Sequence, residues 1–536
     1  MKKLIALILI LVMALSSCDI LLSTPDNGQG NNGTNNGGGI LDSILGGSKD
    51  DGDNDVGFHG DCTDGHVDGD NNGLCDACKV SVLVWFDFYS VNDLHGKIVN
   101  SDSQPGIEEL TTYLKTAKEN NPNTILLSSG DIWQGSSESN LTHGALLTDW
   151  MEELGFAAMT LGNHEFDWGG DDICANAEAA DFPFLAINIY DKTTQKQMDY
   201  CESSITVEMG GMQIGIIGAI GDCYSSISKE VVGNVEFKTG KALTELVKAE
   251  SEKLRAEGVD FIIYSIHDGY GSSSSSKKTV KDSDISNYYD IALSGGYVDL
   301  VFEAHTHQSY VLYDSKGVYH LQGGGENKGI SHAKVSINSA NGKTTVSKAE
   351  VIKSSTYSTY QEDPLIDELL KKYEDMINAA YEVLGVNAKY RDDSELEAFV
   401  AKLYYEYGVE KWGDEYDIFL GGGFLRTRNP YNLKAGEITY SDLYSLLPFD
   451  NEIVLCAVTG RQLLNNLINS SSDDYYIYLD GHSTSGIDYN KTYYIVTDTY
   501  TSTYTYNNFT EVERYTPGVY ARDLVADFFK KNNGWR

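Results

Sequence analysis

Between residues 80 and 310, five short apolar runs each end abruptly in side chains that can hold a metal ion. They are FYSVNDLHG, ending in Asp93 and His95; LLSSGDIWQG, with Asp131; LGNHEFDWG, with Asn163 and His164; IIYSIHDGYG, with His267; and VDLVFEAHTHQ, with His305 and His307. The runs have the length and β-branched content of buried strands. The strand candidates, these runs included, lie at 80–88, 124–127, 184–189, 213–218, 261–266 and 298–302, and helical spacing marks 107–118 and 145–154. This alternation predicts an α/β layered domain. In open α/β sheets ligands bind beyond the carboxyl ends of the strands. A chain built this way gathers its polar strand ends at one place.

The donors are carboxylate, imidazole and amide, with no thiolate among them, which suits zinc, manganese, iron or cobalt. They are too many for one ion and suit two ions about 3.5–4 Å apart that share a carboxylate. Taken singly the motifs are weak: an Asp-x-His at a strand end is more often a satisfied turn, and a Gly-Asp pair says almost nothing. The ordered set is specific. The formal charge of −39 over 536 residues repels nucleic acid polymers and anionic membranes at long range. Any phosphate handled by such a chain needs strong local positive charge, which two divalent cations provide.

The order D-x-H, G-D, G-N-H-E, H, H-T-H resembles the calcineurin-like metallophosphoesterases, and NDLHG, GNHEFDWG and HTH are similar to the 5′-nucleotidase family within them. The likeness runs over roughly residues 82–530. It implies a four-layer β-sandwich flanked by helices, then a smaller α/β (α+β) substrate-binding domain. Residue by residue, it implies that Asp93, His95 and His307 hold one ion, that Asn163, His267 and His305 hold a second, and that Asp131 bridges them. His164 would face the phosphate and Asp167 would orient its imidazole, while Glu165 reads as structural. Gly162 would let the backbone turn tightly. The implied reaction is direct hydrolysis of a nucleotide phosphoester with no phospho-enzyme.

The stretch FLGGGFLRTRNPYNLKAGEITYSDLYSLLPFDNEIVLCAVTGRQLLNNL (419–467) resembles the family's second domain. There Arg426, after a Gly-rich turn, would meet the phosphates, and Phe449 and Tyr500 would stack on the base. Arg391 is a further candidate arginine. Leu420 stands where the family has Asn, and no Gly-Gly-Asp follows Tyr500. These departures leave room for a 2′,3′-cyclic nucleotide phosphodiesterase/3′-nucleotidase, a nucleotide-sugar hydrolase or a phosphatase for another ester. A surface binding protein on an inactive scaffold is the reading from a different class, and the filled ligand positions argue against it.

Residues 1–17 read as a signal peptide: Lys2-Lys3 precede an apolar run, Leu4 to Leu15, too short to span a bilayer. Leu15-Ser16-Ser17-Cys18 resembles the bacterial lipoprotein signal and implies a lipid on Cys18, hence an extracytoplasmic, membrane-anchored protein. Residues 18–57, rich in Gly, Asn, Asp and Ser, read as a tether. A small module at 58–79 carries two overlapping patterns. Asp68, Asp70, Asn72 and Gly73 open a calcium loop that Lys79 fails to close. Cys62, His66, Cys75 and Cys78 have zinc spacing. A disulfide-stapled or disordered spacer is the third reading. The expected catalytic domain is 80–355, with a surface insertion at Gly271–Ser276. A helical connector at 356–385 has Asp363 as N-cap and Pro364 at N1, with one helix reaching about Leu384. The second domain is 386–536. Cys174, Cys201, Cys223 and Cys456 could form disulfides. The implied partners are a small phosphoester and the membrane, with no nucleic acid polymer or protein.

Overall fold

Alternation along the strand Leu83–Val91 sends Phe86 and Phe88 to one face and Tyr89 and Val91 to the other, and both faces are buried. This strand lies at the middle of one of two six-stranded sheets in the computed structural model, which describes residues 65–100, 105–270, 289–424, 432–469, 475–503, 507–515 and 517–536. The predicted signal peptide and tether, Cys18, Cys62, the Gly271–Ser276 insertion and Arg426 lie outside the described residues. In the first sheet Leu83–Val91, Thr124–Ser128, Ala158–Thr160 and Phe184–Leu185 run parallel. Gly329–Asn338 and Thr344–Lys353 add antiparallel strands on the other side. In the second sheet Met212–Ile220, Phe261–His267, Leu300–Phe302 and Tyr319–Gly323 are parallel, flanked by antiparallel Ser204–Met209 and Ser309–Tyr313.

The inner faces meet in a core of Phe86, Phe88, Ile125 and Leu127 against Ile214, Ile216, Phe261 and Phe302. Phe88 and Phe261 stack across the gap with centroids 5.5 Å apart. Glu108–Asn120 and Ala145–Leu154 cover the outer face of the first sheet through Leu110, Leu114, Leu147 and Trp150. Lys241–Ala256 covers the second through Leu243, Val247 and Leu254. The expected four-layer sandwich is therefore observed. Five of its parallel strands carry a metal-ligand candidate at the carboxyl end or lead directly into a loop that does.

Asp363 caps the helix Pro364–Lys372, accepting from the Leu365 amide at 3.0 Å with Pro364 at N1. Leu365, Ile366 and Leu369 bury against the first sheet's helices. The single helix expected to Leu384 is not formed. The chain breaks at Tyr373, makes a short helix Glu374–Ile377 and a 3₁₀ turn Asn378–Tyr381, then enters the strand Val383–Asn387. Tyr373 turns to donate its hydroxyl to Asp149 at 2.7 Å. Val383–Asn387 pairs with Gly436–Thr439 and Gly534–Trp535, so β-branched residues and distant partners override the local helical spacing.

Beyond it, a five-stranded sheet runs in the order Tyr475–Tyr478, Ile418–Phe424, Thr492–Asp498, Ile453–Thr459, Thr510–Arg514. The helices Asp393–Trp412 and Ala521–Asn532 pack on it around Leu396, Val400, Leu455, Val525 and Phe529. This is an α+β unit separate from the sandwich. Among the described residues no helix is long and apolar enough to cross a membrane.

Candidate active site

The five strand-end loops converge at one end of the sandwich. Asp93 and His95 follow Leu83–Val91, and Asp131 follows Thr124–Ser128. Asn163 and His164 follow Ala158–Thr160, His267 ends its strand, and His305 and His307 follow Leu300–Phe302. The ligating atoms of Asp93, His95 and His307 lie within 4.8 Å of one another, as do those of Asp93, Asp131 and His267. His95 Nε2 is 2.9 Å from His307 Nε2. Asp131 Oδ2 is 3.2 Å from His267 Nε2 and 3.8 Å from His95 Nε2, so this carboxylate stands between the two imidazoles. His305 lies beside His267, ring centroids 5.5 Å apart.

Five of these residues, Asp93, His95, Asp131, His305 and His307, hold positive φ between 49° and 66°. That conformation is unfavourable for a residue with a Cβ, by about 1–2 kcal/mol each, and persists only where surroundings impose it. Backbone bonds do so here. Asp93 N donates to Gly130 O at 2.9 Å, and His95 N to Asp131 O at 3.1 Å. Gly162 has an ordinary φ, so its role is clearance rather than the expected tight turn. A Cβ there would collide with Asp131 Oδ1, the Asp131 amide nitrogen and His267 Cε1.

Residues that are not themselves candidate ligands hold the site in place: Glu165, read from the sequence as structural, and Asn92 and Gln322, which the sequence did not single out. Glu165, fully buried, accepts from the amides of Gly162 at 2.7 Å, Ile132 at 2.8 Å and Asp131 at 2.9 Å. Its carboxylate thus ties the Asp131 loop to the Asn163 loop. Asn92 donates to Asp93 Oδ2 and to Gly324 O. Gln322 accepts from Thr306 and from the Gln308 amide, fixing the His305–His307 loop. The signal for such residues was only a polar side chain inside or beside an apolar run.

The donor set fits divalent cations. His267 Nδ1 donates to Ser129 O at 2.7 Å and His95 Nδ1 to Gln134 O at 3.1 Å; a carbonyl only accepts, so each ring turns Nε2 inward. Asn163 Oδ1 is buried with no hydrogen-bond partner among the described residues, and His267 Nε2 faces the Asp131 carboxylate. Burial, then the neighbouring His267, pushes His305 down to about 4 and leaves the neutral, ligating form. Burial also opposes a charged His267, yet Asp131 above all raises it to about 10, so the acidic groups here select positive charge at that ring. Cys223 also approaches His267 and His305. Burial holds it well above the ordinary thiol range, and its Sγ donates to His267 O at 3.0 Å. It remains a thiol, and none of the six described cysteines forms a disulfide.

His164 sits at the edge of this cluster. Its ring is 5.3 Å from that of His95, and its Nδ1 is 2.9 Å from Asp167 Oδ2. Its backbone amide donates to Asp131 Oδ1 at 2.8 Å.

The profile of the calcineurin-like phosphoesterases matches residues 86–309, and that of the 5′-nucleotidase C-terminal domain matches residues 378–494. The chain thus joins a calcineurin-like phosphoesterase domain to a 5′-nucleotidase C-terminal domain. It is 27% identical over 432 residues to endonuclease YhcR of Bacillus subtilis (strain 168), a match that covers 75% of this chain but only 34% of that protein. It is 26% identical over 416 residues to protein UshA of Yersinia enterocolitica, covering 69% of this chain and 74% of that one. The solved 5′-nucleotidase precursor from Thermus thermophilus shares the fold, with a TM-score of 0.65 at 18% identity over 84% of this chain and 97% of that chain. A metallophosphoesterase implies bound divalent metal ions.

In this 5′-nucleotidase-like chain the C-terminal unit approaches His164, at the edge of the cluster, through the loop that carries Phe449 and the helix Tyr440–Leu446 before it. The Phe449 ring lies 5.9 Å from that of His164. Pro448 O accepts from Asn140 at 2.9 Å, Asp450 accepts from Trp168 Nε1 at 3.1 Å, and the Ser137 and Ser441 hydroxyls are 2.8 Å apart. Tyr500 is the second residue of the short helix Thr499–Thr503 and packs on Phe424, ring centroids 5.7 Å apart. Phe424 leads toward Arg426, outside the described residues.

Two expectations need correcting. Gly421–Gly423 form part of the strand Ile418–Phe424 rather than a turn. A Cβ on Gly421 would strike the backbone of helix Asp393–Trp412, and one on Gly423 would strike the Thr497 and Thr501 hydroxyls, so close packing requires these glycines. Arg391 lies 3.6 Å over the Trp535 ring and donates to Arg536 O at 2.7 Å, a packing role.

Proposed function

We propose that the protein hydrolyses nucleotide phosphomonoesters to nucleoside and phosphate outside the cytoplasm. The convergence of Asp93, His95, Asp131, Asn163, His267, His305 and His307 beside the His164–Asp167 pair carries this reading. Asp93, His95 and His307 would hold one divalent ion, zinc or manganese, and Asn163, His267 and His305 a second, with Asp131 shared. When bound, the ions supply the positive charge that this acidic chain otherwise lacks and activate a water for attack. Asp167 accepts from His164 Nδ1, which fixes the tautomer and turns Nε2 outward. That ring donates a hydrogen bond or a proton where negative charge grows on the phosphoryl and leaving oxygens. Phe449, beside His164, offers a flat face to a base, with Tyr500 and Arg426 as further substrate contacts.

The catalytic and C-terminal domains would span 80–355 and 386–536, joined through 356–385, behind a lipid on Cys18 and a tether to residue 57. Replacing Cys18 by Ala should release the protein from the membrane fraction; retention would refute the anchor.

Phosphate release by the full chain with Mn²⁺ or Zn²⁺ tests the activity, using AMP, UDP-glucose, 2′,3′-cyclic AMP and an aryl phosphate beside His164→Ala. A preference for AMP that the variant loses is the expected result. A preference for the cyclic nucleotide or UDP-glucose would redirect the substrate assignment. No turnover with metals bound would refute the enzyme reading.

A further inference from the structure

A second group of metal-binding side chains lies outside the active site. Residues 65–82 pack on the turn joining Gly329–Asn338 to Thr344–Lys353. Asn338 Nδ2 donates to Asp68 Oδ2 at 2.6 Å, the Ser339 amide donates to Val82 O at 2.8 Å, and Cys75, Cys78 and Val82 bury together beside Ala340. An antiparallel bridge between Leu74 and Ser81 closes a tight loop over Cys75–Lys79. In it the Lys79 amide donates to Cys75 O at 2.9 Å, and Lys79 is forced to φ 62°. Both thiols are thereby turned to one side, and His66 arrives from the other arm. The ligating atoms of His66, Cys75 and Cys78 lie within 4.8 Å of one another, with Cys78 Sγ 3.5 Å from His66 Nδ1. Zinc–sulfur bonds of about 2.3 Å and zinc–nitrogen bonds of about 2.0 Å give tetrahedral edges of roughly 3.5–3.8 Å, so the spacing suits that ion.

The competing acidic group, Asp68, Asp70 and Asp76, also has oxygens within 4.8 Å of one another, but each carboxylate accepts hydrogen bonds within the loop. Asp68 accepts from the Asn72 and Gly73 amides at 3.0 and 2.9 Å as well as from Asn338. Asp70 accepts from Asn72 Nδ2 at 2.8 Å, and Asp76 from the Gly69 amide at 2.8 Å. These carboxylates shape the turn, and Lys79 stands where a closing bidentate Glu would be needed. Cys75 and Cys78 are buried and not joined as a disulfide.

We propose that His66, Cys75 and Cys78 bind one structural zinc ion that cross-links the two arms of the 65–82 segment where it packs on the sandwich, independently of the catalytic metals. The test is metal content of the purified full chain by mass spectrometry, beside Cys75→Ser and Cys78→Ser. Either variant should lose one zinc per chain while phosphate release is unchanged. Cobalt-loaded wild type should show a thiolate-to-cobalt charge-transfer band that both variants lack. A band that survives both and disappears in Cys223→Ser would overturn the assignment. So would bound calcium in place of zinc, with a thermal shift insensitive to Cys78→Ser. Should the variants fold poorly, alkylation of native wild type decides: Cys75 and Cys78 should be protected until a chelator is added, and equal labelling with and without chelator refutes the site.

Discussion

Replacing Arg522 by Met removes a guanidinium that is 2% exposed and paired with Asp450, in the loop that presents Phe449 to His164. Arg522 also donates to Phe449 O at 3.0 Å and to the Tyr444 hydroxyl at 3.1 Å, and lies 4.0 Å from the Tyr444 ring centroid. Met keeps most of the aliphatic stem, so the loss is mainly electrostatic. Breaking a buried pair from one side costs about 3–5 kcal/mol. Asp450 keeps 21% of its side-chain surface and the Trp168 indole N–H, which points to the lower end, about 3 kcal/mol. Asp450→Asn leaves Arg522 buried without a full counter-charge. The double variant removes both charges, so it should be less destabilised than the two singles summed, by roughly 1–3 kcal/mol. Urea midpoints of the four proteins measure this. With its carbonyl released, Phe449 should lose its fixed position. The KM for a nucleotide should then rise about 5–30-fold, the equivalent of about 1–2 kcal/mol, with a smaller change for glycerol phosphate. Additive stabilities together with an unchanged nucleotide KM would refute the reasoning.

Glu165→Gln puts an NH₂ against backbone amides whichever way the side chain flips, so at least one short bond from Asp131, Gly162 or Ile132 is lost. Metal affinity should fall about 10–100-fold in a manganese titration, and a wild-type affinity would show that the carboxylate does not position Asp131. Asp167→Asn frees the His164 tautomer; kcat should drop about 10²–10⁴-fold with metal content unchanged, and a drop in metal content instead would make Asp167 structural. His320 is raised to about 9, against the burial that lowers it, because Asp314 and Glu303 accept from its two ring nitrogens. A raised folded-state pKa means that the stabilisation is complete below about 6.5 and is lost as pH rises through about 9. The thermal midpoint should therefore fall between neutral pH and about pH 9.5, and His320→Gln should remove most of that dependence; an identical pH profile in the variant would refute it.

Much of the sandwich was legible because strand periodicity and abrupt polar ends are local signals. The helix Ala145–Leu154 and the strands at 124, 212 and 261 follow directly from them. The helix expected to Leu384 failed where a local signal met a distant one, since Val383–Asn387 is held by strands that begin at Gly436 and Gly534. Side-chain chemistry and chain order alone determined which strand ends bear candidate metal ligands and that a chain with a formal charge of −39 needs local positive charge to handle a phosphate. Tertiary structure alone decided the left-handed backbone of five candidate ligands, because a residue with a Cβ adopts it only when neighbouring loops impose it. It likewise decided that Glu165 ties two loops together, that Phe449 meets His164 and that Arg522 holds Phe449. Each of these depends on atoms brought together from distant segments or on backbone amides, and neither leaves a pattern in the sequence of side chains.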